Sequence, residues 1–100
     1  MKKTTDALSA AEVRESMKTV AHWRRRGRVI RRTYELKDFP AALRFVNAVG
    51  RHAEKVWHHP DIDIRWNAVT LALTTHDAGG LTALDFESAL KYDGLAQAKA

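Results

Sequence analysis

The sequence contains no cysteine. That excludes disulfides, thiol nucleophiles and cysteine-based zinc sites together, and a cytoplasmic protein is the simplest expectation. Nor is there an apolar run approaching the ~20 residues of a membrane-spanning helix. Met1 to Asp6 carries two lysines with no apolar block behind them, so no signal peptide is expected. Glycine is scarce, at 5 residues, and Gly79-Gly80 alone is too little for a phosphate-cradling loop. No serine stands in a nucleophile-elbow setting. There is no internal repeat, linker or low-complexity segment, so residues 1–100 are expected to form a single domain, with 1–8 and 96–100 flexible.

What is present is an ordinary globular composition, 45% hydrophobic and 29% charged, with a net charge of +5. The positive excess is concentrated in Arg24, Arg25, Arg26, Arg28, Arg31 and Arg32. A basic patch can signal nucleic acid. No recognised binding motif accompanies these arginines, so a solvated strand pair is the preferred reading.

Ser9-Ala-Ala-Glu12 has the spacing of a capping box. It predicts a first helix over about residues 10–21, with Met17 and Val20 on its buried face. Gly27 between two basic runs suggests a hairpin, with strands near 22–26 and 28–36. Ile30, Tyr34 and Leu36 share one face of the second strand. Arg32 falls on that same apolar face, where its stem can bury while its head reaches water. Asp38 and Pro40 open a helix over about 40–57, carried by Ala42, Phe45, Val46, Val49, Ala53 and Val56. Pro60 pushes His59 out of helical conformation, so the helix stops at His58-His59. Asp61 to Asp63 reads as a turn, Ile64 and Trp66 as a third strand, and Val69 to Thr74 as a fourth. Thr82-Ala-Leu-Asp85 begins a last helix with Phe86, Ala89 and Leu90 on one side, and Gly94 is its expected stop. The order α-β-β-α-β-β-α implies an α+β fold, a four-stranded antiparallel sheet with three helices packed on one face.

Three of the five histidines, His58, His59 and His76, fall between Glu54 and Asp85. Two are placed at a helix end and one at a strand end, with Thr74, Thr75 and Asp77 close by. Such a set offers proton transfer near neutral pH, or metal binding. Adjacent histidines rarely aim both rings at one ion, which disfavours the metal. For each histidine the alternative is a hydrogen-bonded helix or strand end. For Asp85 it is service to the helix N-terminus. Trp57 and Trp66 could stack on a flat ligand or belong to the core. Glu54, four residues before His58, is expected to share its face and orient its ring.

These residues resemble the signature of the pterin-4a-carbinolamine dehydratases. Its acidic residue, His-His-Pro, aromatic, histidine and aspartate are filled by Glu54, His58-His59-Pro60, Trp66, His76 and Asp85, with every gap of the expected length. Thr75-His76-Asp77 and Gly80-Leu81-Thr82 also match, and the resemblance spans about residues 9–95. It implies dehydration of 4a-hydroxytetrahydrobiopterin to the quinonoid dihydropterin, regenerating the cofactor of an aromatic amino acid hydroxylase. No metal or other cofactor is implied.

By the same resemblance, His58 and His76 are the main acid–base candidates, with acid and base unassigned between them. His59 binds the pterin and assists. Thr74, Thr75 and Asp77 contact the substrate, Glu54 orients the first histidine, and Asp85 is a further site residue; Trp57 is added as a substrate contact on its own ability to stack on a flat ligand. Trp57 stands where some relatives have an acidic residue, and Ile62 where others have an aromatic. A homodimer or homotetramer assembled through sheet edges and helices is implied. The alternative is a non-enzymatic dimerisation or regulatory module of the same fold, a second role that animal members play for a homeodomain transcription factor.

Overall fold

The structure is a computed structural model that describes residues 5–99. In order it contains α1 (Ala10–Met17), β1 (Arg24–Arg26), β2 (Val29–Glu35), α2 (Phe39–Val56), β3 (Asp61–Arg65), β4 (Ala68–Leu73), a 3₁₀ turn (His76–Ala78) and α3 (Ala83–Lys99). The strands form one antiparallel sheet in the order β1-β2-β4-β3. The expected α+β architecture, with its α-β-β-α-β-β-α order, is the observed one.

Alternation explains the sheet. Ile30 and Tyr34 of β2 and Val69, Leu71 and Leu73 of β4 are buried on one face, whereas Arg31, Thr33 and Glu35 are exposed on the other. Phe45, Val49, Ala53, Phe86, Ala89 and Tyr92 of α2 and α3 close the core over the buried face. Full burial of Phe45, Ile30, Leu71 or Leu73 stabilises by about 1.5–3 kcal/mol each.

α1 begins with the expected capping box. The Glu12 amide donates to Ser9 Oγ (3.1 Å) and the Ser9 amide to Glu12 Oε1 (2.8 Å). The helix ends at Met17, shorter than expected, and Val20 and Trp23 are buried from the turns that follow. The residue 1–4 part of the expected flexible N-terminus lies outside the described residues. Leu8 does not belong to it, since its amide donates to the Leu81 carbonyl (2.8 Å) and its side chain packs on the core. α2 starts where Asp38 Oδ1 accepts from the Ala41 amide (2.9 Å), with Pro40 in the first turn.

Four expectations fail. Asp61 to Asp63 belongs to β3, and Trp66 sits in the β3–β4 turn with φ +54°. α3 does not stop at Gly94 but runs to Lys99, which removes most of the expected loose tail; position 100 lies outside the described residues. Beyond Gly94, Ala96 is buried and Leu95 packs on the core. Asp93 is also anchored: its Oδ1 accepts from Trp23 Nε1 (3.0 Å), Arg32 Nη1 (2.8 Å) and the Tyr34 hydroxyl. These tertiary contacts outweigh the local stop signal. Leu90 is half exposed rather than on the buried side with Phe86 and Ala89. Arg32 resolves as expected in part. Its guanidinium lies 4.4 Å from the Tyr34 ring centre, and its head is paired with Asp93 while the side chain stays 24% exposed.

Burial and the adjacent Asp93 carboxylate push the Tyr34 hydroxyl well above the ordinary tyrosine value. Tyr92, wholly buried beneath the His52 ring, is pushed up to about 12 by desolvation. No helix among the described residues is long and apolar enough to cross a membrane.

Candidate active site

The C-terminus of α2 sets the site. Trp57 adopts the left-handed conformation, φ +54° and ψ +47°, and its amide donates to the Ala53 carbonyl. The His58 amide donates to the same carbonyl (3.2 Å). This reversal ends the helix and sends the next side chain inward. His58 is 9% exposed, while Trp57 is left 75% exposed.

Inside, His58 meets Asp85, whose residue is 0% exposed. His58 Nε2 lies 2.6 Å from Asp85 Oδ1. Asp85 Oδ2 accepts from Thr75 Oγ1 (2.8 Å) and from the Thr82 amide (2.9 Å), and the Thr75 and Thr82 hydroxyls are 2.9 Å apart. Against an ionised carboxylate, which only accepts, His58 donates this bond through Nε2. Asp85 thus bonds in two directions. One oxygen holds the histidine, and the other serves the first turn of α3, where negative charge is favoured.

Glu54 does not orient His58. Its Oε2 lies 2.6 Å from His59 Nε2. The expected pairing assumed a helix continuing through residue 58, and the left-handed Trp57 breaks that geometry. The Trp57 ring stands edge-on to His59, with centroids 4.9 Å apart. Trp57 and Trp66 are both exposed, so neither is core.

The sheet register brings the third histidine to the same end. Asp61 pairs with Ala72, so the chain entering β3 from His59-Pro60 runs beside the chain leaving β4 toward Thr74. Thr74 Oγ1 donates to the Arg28 carbonyl (2.5 Å), tying this exit to the β1–β2 turn. Thr75 bridges to Gly80, and His76 and Asp77 lie exposed in the 3₁₀ turn between them. Among the described residues the His76 side chain makes no hydrogen bond.

The expected residues thus gather in two bonded groups, His58–Asp85–Thr75 and Glu54–His59–Trp57, with Thr74, His76 and Asp77 on the adjoining segment. Thr82 completes the buried group and was missed as a site residue. Its signal in the sequence is the cap spacing Thr82-Ala-Leu-Asp85. No group of three or more histidine, aspartate and glutamate side chains among the described residues could hold a metal ion. The arrangement can hold and move protons. One imidazole is backed by a buried carboxylate, a second by an exposed one, and a third is open to solvent.

The sequence pattern of the family described as Pterin 4 alpha carbinolamine dehydratase matches residues 6–95. A protein of Roseiflexus sp. (strain RS-1), provisionally named pterin-4-alpha-carbinolamine dehydratase, is 54% identical over 86 residues, covering 86% of this chain and 92% of its own. One of Nocardia farcinica, with the same provisional name, is 45% identical over 94 residues, covering 94% and 99%. Among solved structures, the transcriptional coactivator/pterin dehydratase from Brucella melitensis superposes with a TM-score of 0.88 at 31% identity, over 91% of this chain and 99% of its own. A pterin dehydratase-like RuBisCO assembly factor of the alpha-carboxysome shares the fold, with a TM-score of 0.64 at 21% identity over 74% and 88%. A match over nearly the whole chain, in sequence and in fold, means that the chain belongs to the pterin-4-alpha-carbinolamine dehydratase family.

Proposed function

We propose that this protein dehydrates 4a-hydroxytetrahydropterin to quinonoid dihydropterin by histidine acid–base catalysis. The reaction breaks the C4a–O bond. The departing hydroxyl takes a proton and leaves as water, and N5 gives up its proton as the double bond forms. The single observation that carries this reading is the buried His58–Asp85 pair, at the sheet end that also bears His59 and His76.

A carboxylate fixed behind an imidazole selects its tautomer and stabilises the imidazolium. That suits His58 to accept the N5 proton. His76, in contact with solvent, reloads freely and suits protonation of the leaving hydroxyl. Each proton transfer contributes about 10²–10⁴-fold. His59, steadied by Glu54, and the exposed Trp57 offer a polar contact and a flat face to the pterin. The product would serve an aromatic amino acid hydroxylase in tetrahydrobiopterin recycling, from a homodimer or homotetramer in the cytoplasm.

The test is stopped-flow dehydration in chelator-treated buffer, with wild type beside His58→Ala and His76→Ala. A rate well above the spontaneous one, reduced at least about 10²-fold in each variant, is expected. A background rate from folded wild type would sink the enzyme reading in favour of a regulatory binding module.

A further inference from the structure

The proton transfers proposed for the dehydration use none of the arginines of the N-terminal half. Of the six in the β1–β2 hairpin, only Arg32 is ion-paired among the described residues. The register sorts the rest. Arg24 and Arg31 face each other on the open side of the sheet, whereas Arg25 opposes buried Ile30 and leaves the sheet on the helix-covered side. There Arg25 meets Arg14 from α1 and Arg28 from the hairpin turn, around a cavity of about 250 Å³ that also includes Gly79 and Gly80. Three cations from three separate elements converge, and among the described residues no carboxylate lines the cavity.

The floor is open. A Cβ built on Gly79 or Gly80 would meet no heavy atom within 4 Å. Arg25 is held in place because its Nη1 donates to the Gly27 carbonyl (3.1 Å), which leaves its other N–H groups available. Guanidinium forks match phosphate oxygens in pairs, and like charges gathered in a concavity attract an anion strongly. The volume decides the size of the ligand group. Drug-sized ligands fill cavities of about 300–1,000 Å³, so this one suits a phosphoryl group rather than a whole nucleotide. Gly79-Gly80 directly follows the 3₁₀ turn bearing His76, and the Arg28 carbonyl holds Thr74. An anion here would sit against the segment that carries the third histidine.

We propose that this cavity binds a phosphoryl group, supplied either by the side chain of the pterin substrate or by a separate phosphorylated ligand. The experiment is calorimetric titration with inorganic pyrophosphate at low salt. It compares wild type, Arg25→Gln/Arg28→Gln and Arg51→Gln/Lys55→Gln; the last removes the same charge elsewhere. All four side chains are exposed, and circular dichroism checks folding. Saturable binding by wild type, weakened at least about tenfold in the hairpin variant and little in the other, is expected. No saturable binding, or equal weakening in both variants, would overturn the proposal.

The source follows from KM for carbinolamines with phosphorylated and hydroxylated side chains. A rise confined to the phosphorylated one in the hairpin variant assigns the site to the substrate. Unchanged KM for both, with pyrophosphate binding lost, assigns it to a separate ligand. Absence of turnover with either carbinolamine would overturn the dehydratase reading, not the cavity, which calorimetry reads directly.

Discussion

Replacing Asp85 by asparagine tests how the site and the fold share one residue. Asp85 receives His58 Nε2 on one oxygen and Thr75 and Thr82 on the other. Asparagine can keep the second pair with its carbonyl, but it then presents an NH₂ to His58. The imidazole must turn its unprotonated nitrogen to that donor, which puts the wrong tautomer at the substrate. Loss of the carboxylate behind a catalytic histidine reduces kcat by about 10²–10⁴-fold. The charge-assisted bond is worth about 1.5–3 kcal/mol. At about 4–8 °C per kcal/mol for a chain of this size, a loss of about 2 kcal/mol lowers Tm by about 8–16 °C. Thermal melts and stopped-flow rates, taken well below both melting points, separate the effects. A variant that melts lower but keeps wild-type kcat refutes the catalytic role of the pair. Unchanged Tm with lost activity refutes its structural role.

Tyr34 gives an alkaline signature. Its ionisation is raised by burial and then by Asp93, so its stabilisation is complete below the unfolded value near 10 and is lost as pH rises above it. Urea denaturation from about pH 9 to about pH 11.5 is expected to show a shallower fall for Tyr34→Phe than for wild type; identical slopes would contradict this. His52 works in the opposite direction. Desolvation, then Lys91 and Lys55, lowers its ionisation, so stability present above the unfolded value near 6.5 is lost as pH falls. His52→Gln should flatten the decline between about pH 7.5 and about pH 5.5 in the same measurement. Trp66 is 69% exposed in left-handed conformation, which is strained by about 1 kcal/mol. Trp66→Gly should therefore raise Tm by about 4–8 °C, and a fall would show that the ring contributes packing.

Much of this was legible in the sequence wherever burial is one-sided. The spacing of Ala42, Phe45, Val49 and Ala53 places α2 within a residue of its observed ends, and alternation in β4 does the same. Strand β3 was half missed because every residue in it is exposed, and an edge strand bearing Asp61, Asp63 and Arg65 shows no buried period. Gly94 misled because a local stop signal cannot register Asp93 being held from β2 and Trp23. At the site, the histidines and Asp85 were visible as residue types, but their pairing was not. It depends on one backbone reversal at Trp57 and on a contact 27 positions away in the chain.

The central strand pair carries a consequence for how the molecule assembles. β1–β2 and β3–β4 are hairpins that can close locally, within microseconds. β2 and β4 join across the whole of α2, and Thr74 reaches a carbonyl 46 positions earlier in the chain. Closing so long a loop is entropically slow compared with forming either hairpin. The histidine end of the sheet exists only after that closure. In a refolding experiment, helical signal should therefore return before turnover does, and the gap between them should time the docking of one hairpin on the other.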